Sequence, residues 1–288
     1  MTRPMTAGIH LPQAGPAANP ESIKRVAMRA EALGYADVWV SDHLAVQTNA
    51  AYPPSPYIYE PLITLTWAAA VTERVKLGTT VLVLPMRNPL FVAKALASID
   101  QLSGGRMILG TAAGWYEVEF EALGIPFKER GARTDEAIEI LRRLWQDDHI
   151  DATFPVHGIE MKSMRAKPQP IGEIPIWIGG HAEPAIQRAI RVGQGWHGAF
   201  RSAASIEPLI SALRAARPER DFTISMRTSW DALADDHDKI IREIDAYRSV
   251  GVNHIVAEPR QSSGAAFLEC TEALAEIFRD HGVDMSGL

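Results

Sequence analysis

The sequence predicts an α/β fold, a (β/α)₈ barrel that residues 1–288 form as a single domain. Short β-branched or apolar segments alternate with amphipathic helical segments along the whole chain, and no linker interrupts them. No Gly-x-Gly-x-x-Gly follows the first strand, which argues against an open dinucleotide-binding sheet. Hydrophobic residues make up 47% of the chain and charged residues 22%, a balance typical of a protein with a large core.

The predicted strands number eight, as a closed barrel requires. They cover residues 7–11, 37–41, 75–81, 107–112, 174–178, 195–200, 222–226 and 254–257. Apolar residues continue beyond the third of these segments as far as Pro85. Such length predicts a bulge in the third strand, with a plain buried strand as the alternative.

A helix is predicted after each strand. The first follows Pro20, which suits a first helical turn, and it stops at Gly34. The predicted helices cover residues 21–33, 61–72, 89–102, 134–145, 184–192, 206–216, 238–250 and 265–281. Each is expected to cross back over the outside of the barrel.

Two segments break this alternation. Residues 46–60 form a long loop rich in proline and tyrosine, and a loop in this position opens onto the functional face of a barrel. Residues 147–170 contain an alternating stretch and a turn at Gly158, which predict a hairpin inserted before the fifth strand at the rim.

His43 is the leading candidate for catalysis. It follows the second strand, and barrels keep their active sites at the C-terminal ends of their strands. An imidazole gives or takes a proton near neutral pH, and the neighbouring Asp42 can orient it or contact a cofactor. The alternative is purely structural: Asp42 caps the start of the loop and His43 only forms a hydrogen bond there.

Gly179, Gly180 and His181 follow the fifth strand and lead into a helix with a proline in its first turn. Exposed amide groups and the helix dipole favour a phosphate at such a place, and glycines let the backbone approach it closely. The alternative is a tight turn. After the fourth strand, Ala113 and Gly114 are small, which leaves room for a flat ligand.

Composition and motifs exclude several other classes of function. The formal net charge is −6, and basic residues neither cluster nor alternate with aromatic residues, so neither nucleic acid nor an anionic membrane is an expected partner. Cys270 is the only cysteine, and no apolar run suits a secretory signal or a membrane span, so a cytoplasmic location is expected. No spacing of histidines, cysteines or carboxylates suggests a metal site.

Motifs along nearly the whole chain resemble those of the luciferase-like monooxygenase superfamily, and most closely its actinobacterial branch of F420-dependent oxidoreductases. They are residues 9–13 (IHLPQ), 30–35 (AEALGY), 38–43 (VWVSDH), 60–62 (EPL), 72–79 (TERVKLGT), 87–89 (RNP), 102–106 (LSGGR), 129–136 (ERGARTDE) and 175–180 (PIWIGG). Each motif is weak alone, but their order is highly specific.

The resemblance implies a deazaflavin ring in the barrel mouth and a cofactor phosphate late in the barrel. It implies that His43 is the proton donor or acceptor and that Asp42 contacts the ring. It also implies a non-proline cis peptide at Thr80 and Val81, forming the bulge behind the ring. Hydride transfer between F420 and a small organic substrate is the expected reaction. A homodimer is expected by the same resemblance.

Two departures from the family pattern bear on the substrate. The sugar-phosphate dehydrogenases of this branch have a tryptophan where this chain has Gln47, and an acidic residue where it has Trp115. Sugar-phosphate oxidation is therefore in doubt, and a more apolar substrate pocket is expected. Two alternatives remain open: a monooxygenase that uses reduced FMN on the same barrel, and a barrel that binds a cofactor without catalysis.

Overall fold

A computed structural model describes residues 4–50, 55–219 and 221–286. The strands of these ranges are β1 (Thr6–His10), β2 (Asp37–Val40), β3 (Lys76–Thr79), β4 (Leu82–Val83), β5 (Met107–Ala112), β6 (Ile150–Phe154), β7 (Ile159–Met164), β8 (Ile176–Gly179), β9 (Gly195–Ala199), β10 (Thr223–Trp230) and β11 (His254–Pro259). All but β6 and β7 belong to one parallel sheet.

This sheet closes on itself. Its strand order is β3-β2-β1-β11-β10-β9-β8-β5-β4, and β3 also pairs with β5. Because β3 and β4 are two halves of one barrel strand, the closed sheet is the predicted eight-stranded barrel, and that prediction is confirmed.

Helices follow the strands on the outside of the barrel. They are α1 (Pro20–Leu33), α2 (Pro61–Ala69), α3 (Pro89–Ser103), α4 (Glu117–Ala122), α5 (Arg130–Gln146), α6 (Glu183–Val192), α7 (Ala203–Ala216), α8 (His237–Ser249) and α9 (Gly264–Asp280). The short α4 was not predicted, whereas each of the other helices matches a predicted one to within a few residues. No helix in the described ranges is long and apolar enough to cross a membrane.

The third barrel strand is interrupted between its two halves. The peptide bond between Thr80 and Val81 is cis, and both halves pair with β5 on either side of it. Both the predicted bulge and the predicted cis peptide are therefore present.

The insertion before the fifth barrel strand is a hairpin, as predicted. Strands β6 and β7 pair antiparallel, and the turn between them lies against α5. The Glu136 carboxylate accepts hydrogen bonds from the backbone amides of Val156 and His157, at 3.0 and 2.7 Å. The hairpin is thereby attached to the N-terminal half of α5.

Large aromatic side chains fill the barrel interior. Trp39 packs with Trp177, Ile108 and Val256 in a cluster that is separate from the core between the sheet and the helices. Glycine makes room for it, because a Cβ at Gly78 would lie 2.4 Å from the Trp39 ring. The interior is thus a packed core, and space for a ligand lies above it, at the C-terminal ends of the strands.

Candidate active site at the barrel mouth

His43 lies at the barrel mouth and is held by a carboxylate that the sequence analysis did not identify. Its Nδ1 is 2.9 Å from Oε2 of Glu119, on α4. The other oxygen of Glu119 accepts hydrogen bonds from the backbone amides of Leu44 and Ala45, at 2.5 and 3.1 Å. One carboxylate therefore fixes both the His43 ring and the loop that follows it.

This arrangement determines the tautomer of His43. Burial raises the pKa of Glu119, but the hydrogen bonds from His43 and the two amides outweigh it and lower the pKa below its usual value. An ionised carboxylate accepts the Nδ1 proton of a neutral imidazole. Within the described part of the chain, Nε2 of His43 has no hydrogen-bond partner. Nε2 is therefore the nitrogen that can exchange a proton with a ligand.

Asp42 is fully buried beside His43, and its carboxylate binds Arg87. The two distances from the Arg87 guanidinium to Asp42 are 2.6 and 3.1 Å, and the amide of Val83 donates to the same carboxylate at 2.9 Å. Arg87 also pairs with Glu60 at 2.8 Å. In this structure Asp42 braces β4 against the loop after β2, and its contact with a cofactor ring stays a prediction.

Thr80 stands where the third barrel strand breaks, and a charged network lies beside it. The Arg227 guanidinium donates to the Thr80 carbonyl at 3.0 Å and to Ser41 Oγ at 2.8 Å, and it pairs with Glu258 at 2.8 Å. Ser41 Oγ is also 2.8 Å from Nε2 of His10. This network fixes the backbone on which the predicted ring would rest.

The predicted phosphate loop lies next to the strand break. A Cβ at Gly179 would lie 2.8 Å from Cγ1 of Val81, and Gly180 has a φ of 117°, which favours glycine. Ala182 precedes α6 and provides no side-chain cap. Pro184 has no amide proton and the Ala185 amide donates to the Ala182 carbonyl, so among the described residues the Glu183 amide is the first-turn donor left for another acceptor. Burial and the nearby charge of Arg201 lower the pKa of His181. The structure therefore brings Val81, Gly179, Gly180 and His181 together.

Small residues also line the mouth after β5. Gly114 has a φ of 82°, and a Cβ there would lie 2.6 Å from Val83 and 3.0 Å from Phe120. Ala113 precedes it, and Trp115 follows with 58% of its surface exposed. The Trp115 ring stands edge-on to His43 at 6.1 Å between centroids. An aromatic wall therefore flanks the proposed proton-exchanging group.

The sequence analysis missed residues whose partners are distant along the chain. Glu119 lies 76 residues from His43, and Arg227 lies 147 residues from Thr80. Arg87 belonged to a recognised motif, but nothing in the motif indicated its pairing with Asp42. Residues 51–54 of the predicted tyrosine-rich loop lie outside the described residues, whereas Tyr57 and Tyr59 are described and their hydroxyls are 2.9 Å apart. No metal-binding cluster of His, Cys, Asp and Glu occurs among residues 4–50, 55–219 and 221–286.

Several known proteins are similar to this chain in sequence or in fold. The F420-dependent glucose-6-phosphate dehydrogenase of Kineococcus radiotolerans is 30% identical over 226 residues, which cover 74% of this chain and 65% of that protein. Among solved structures, an F420-dependent secondary alcohol dehydrogenase in complex with an F420-acetone adduct has a TM-score of 0.80 at 18% identity, with 98% of this chain and 99% of that chain covered. Monooxygenase RslO1 from Streptomyces bottropensis has a TM-score of 0.79 at 23% identity, with 96% and 99% covered.

The two structural likenesses show the fold, and a family model extends the agreement to the sequence. The model described as luciferase-like monooxygenase matches residues 4–283, which include the broken third strand and every residue of the mouth discussed above. On this evidence, and as its motifs predicted, the chain belongs to the luciferase-like monooxygenase family.

Proposed function

We propose that this protein is an oxidoreductase that transfers a hydride between coenzyme F420 and a small organic substrate, with His43 as the general acid or base. The observation that carries the proposal is the pair formed by His43 and Glu119, which presents Nε2 at the mouth of the barrel. The similarity to the Kineococcus radiotolerans enzyme supports F420 as the cofactor.

The residues at the mouth fit a flat ring with a phosphate-bearing tail. Any side chain at Gly179 would collide with Val81. Across the mouth, Ala113 and Gly114 are small and leave space for a ring. The Glu183 amide at the start of α6, close to Gly180 in the chain, suits a phosphate. We assign Thr80 and Val81 to the surface behind the ring, and Gly179, Gly180 and His181 to the phosphate end.

When bound, F420 supplies two-electron hydride transfer. The protein's part is to position the substrate and to manage the proton. The ionised Glu119 keeps a proton on Nδ1 of His43, so Nε2 can accept the proton that a substrate hydroxyl loses, or return one in the reverse direction. Asp42 acts through Arg87 and Val83, which hold β4 in place.

Trp115 and Gln47 are the residues that we assign to substrate selection. Tyr116 follows Trp115, and its hydroxyl accepts a hydrogen bond from the backbone amide of Gln47 at 3.2 Å. Glucose 6-phosphate is named for the Kineococcus radiotolerans relative, and this chain lacks the two residues that the sugar-phosphate dehydrogenases carry at these positions. We propose a less polar substrate, bound against the exposed face of Trp115.

The residues at the mouth also fit the alternative function, a monooxygenase that uses reduced FMN. Reduced FMN also carries a phosphate and a flat ring, and it activates oxygen, as a monooxygenase requires. The fold of RslO1 shows that the barrel supports a monooxygenase. Binding measurements with both cofactors separate the two proposals.

Tryptophan fluorescence tests the proposal, because Trp115 lies beside His43. We expect F420 to quench the fluorescence with micromolar affinity and FMN to produce little change. The change should be much smaller in Trp115→Phe and should persist in Trp145→Phe, whose ring lies outside the barrel and donates to the Ala93 carbonyl. Tight binding of FMN alone would favour the monooxygenase, and no binding of either would favour a non-catalytic barrel.

A further inference from the structure

Five polar side chains form one hydrogen-bonded line through the interior of the barrel. Nε2 of His254 is 3.0 Å from Oδ1 of Asp37 at the start of β2, and Nδ1 of His254 is 2.8 Å from Oγ of Ser225. Oγ of Ser225 is 2.8 Å from Nδ1 of His197, and Nε2 of His197 is 2.7 Å from Oγ1 of Thr80. The line therefore joins the N-terminal end of the barrel to the strand break at its mouth.

Aromatic side chains enclose this line. All five of its members are at most 5% exposed. The ring of Trp39 stacks on His197 at 5.3 Å with an interplanar angle of 5°, and Trp177 stands edge-on to His254 at 5.0 Å. Hydrogen-bonded groups in such a dry interior polarise one another and keep a fixed geometry.

The two ends of the line differ from its middle. At the lower end, Asp37 and His254 border a cavity of about 50 Å³, whose wall also includes the exposed Lys76. Such a cavity is large enough to admit water. At the upper end, Thr80 is followed directly by Val81, which we assign to the wall behind the ring. Solvent can therefore reach one end and a ligand can reach the other.

Every interior member of the line can both donate and accept a proton. With Asp37 ionised, His254 donates to Asp37, Ser225 donates to His254, His197 donates to Ser225, and Thr80 donates to His197. All four donors then point away from the mouth. With Asp37 protonated, the same four hydrogen bonds can run in the opposite direction.

We propose that this line is a proton relay between the barrel mouth and the cavity at the N-terminal face. A proton that reaches Thr80 Oγ1 displaces the Thr80 hydroxyl proton to His197, and successive transfers reach Ser225, His254 and Asp37. Each transfer breaks one O–H or N–H bond and forms another, so one proton enters at Thr80 and one arrives on the Asp37 carboxylate. When Asp37 releases this proton to the cavity, the four hydrogen bonds remain reversed. The line is then oriented to carry a proton from the cavity back to the mouth.

Burial and the charges around the line favour a neutral imidazole at His197. Burial lowers the pKa of His197 well below its usual value, and the nearby His254, Arg227 and His181 lower it further. Arg227 is in turn paired with Glu258, and Lys76 lies at the lower cavity. A neutral imidazole has one donor and one acceptor nitrogen, as a relay requires.

Nitrogen NMR of the histidine side chains tests the relay in the cofactor-free protein. With Asp37 ionised, we expect the proton on Nε2 of His254 and on Nδ1 of His197. When the pH is lowered and one proton enters at the lower end of the line, the tautomers of both rings should change together, with one midpoint. Separate midpoints, or a His197 tautomer that never changes while His254 changes, would show that the line does not relay protons.

Two variants sharpen this test. Ser225→Ala removes the hydroxyl that joins the two rings, so His197 should no longer respond when His254 changes. Asp37→Asn removes the carboxylate that receives the relayed proton, so neither ring should change tautomer. Ser103→Ala loses a buried hydroxyl outside the line and should behave as the wild type. If Ser225→Ala does not fold, the wild-type titration and Asp37→Asn still decide the question.

The role of the relay in turnover rests on the proposed function. Kinetic and F420-binding measurements distinguish a failure of the relay from a failure of the proposed function. Ser225→Ala should lower kcat with F420 by about tenfold, with a larger solvent isotope effect and an unchanged F420 dissociation constant. A wild-type protein that does not bind F420 would overturn the proposed function, whereas the NMR result on the relay would stand. Normal kcat in Ser225→Ala would exclude the relay from turnover.

Discussion

Glu119 determines which nitrogen of His43 faces the barrel mouth, and this gives the residue a testable role. In Glu119→Gln, the amides of Leu44 and Ala45 need the amide oxygen, so the new NH₂ group faces Nδ1 of His43. Nδ1 must then accept, and the proton moves to Nε2. We expect kcat to fall by about 10- to 100-fold with cofactor affinity preserved.

Steady-state kinetics and F420 titrations check this expectation. Glu117→Gln is the matched control, because Glu117 lies on the same short helix but is exposed to solvent. A Glu119→Gln enzyme with wild-type kcat would show that the tautomer of His43 does not matter to the reaction.

His10 makes stability depend on pH. Burial, together with the charge of Arg227, lowers its pKa to about 4 from 6.5. Below pH 6.5 His10 takes up a proton in the unfolded chain but stays neutral in the folded one. Its contribution to the free energy of unfolding is therefore fully present above pH 6.5 and is lost as the pH falls towards 4. This residue should cost the protein about 2 kcal/mol of unfolding free energy between pH 7 and pH 5.

Urea unfolding at the two pH values measures this loss. In His10→Gln the difference between the two values should shrink by that amount, because glutamine does not titrate and the carboxylates contribute equally in both proteins. His149→Gln is the control, since His149 is half exposed and pairs only at the surface with Asp151. An unchanged pH dependence in His10→Gln would contradict the assignment.

At the scale of elements, the loop before α6 is the part of the site that a single methyl group should disturb. In Gly180→Ala the φ of 117° is strained, and the new Cβ would lie 2.9 Å from Cβ of Ala185. The loop and the Glu183 amide that follows it should shift, and F420 should bind about tenfold more weakly.

Isothermal titration of the variant with F420 checks this loop. Gly172→Ala is the matched control, because no atom lies within 4 Å of a Cβ there and its backbone is not left-handed. Equal F420 affinity in Gly180→Ala would remove the loop from the cofactor site.

Long elements could be predicted from the sequence because their patterns are local. The helix after Pro20 begins and ends where its proline and glycine indicate, and the alternation in β6 marked the hairpin. The six residues of α4 are too few for a helical period to stand out, so the helix that carries Glu119 was missed. The pairing of Asp42 with Arg87 depends on how β2 and β4 meet, which no local pattern contains.

In the whole molecule, closure of the barrel brings together interior side chains whose contacts could not be predicted from the sequence. Asp37, Ser225, His197 and His254 come from four different strands, so nothing in their sequence spacing predicts that they form a line. The barrel itself was predictable because its strands and helices repeat in order. The site was predictable where strand ends and glycines mark the mouth, as at His43 and Gly179.

We expect the whole molecule to pair with a second copy through α2 and α3. Ile63, Trp67 and Phe91 are 71%, 48% and 70% exposed. Ile63 and Phe91 lie in the first turns of these two adjacent helices, and Trp67 lies one turn after Ile63. Covering such an apolar surface favours association. Light scattering should give the mass of two chains for the wild type and of one chain for Phe91→Glu. Leu102→Glu, at the far end of α3, should remain dimeric, and a monomeric wild type would refute the pairing.

Anaerobic turnover with F420 tests the proposed hydride transfer. Oxidised F420 is mixed with the protein and a panel of alcohols, and reduced F420 with the corresponding carbonyl compounds, while the deazaflavin absorbance is followed. We predict a substrate-dependent change with the wild type and with His149→Ala, and a rate about 10² to 10⁴ lower with His43→Ala. No change with F420, together with oxygen consumption in the presence of reduced FMN, would show that the protein is a monooxygenase and does not transfer a hydride with F420.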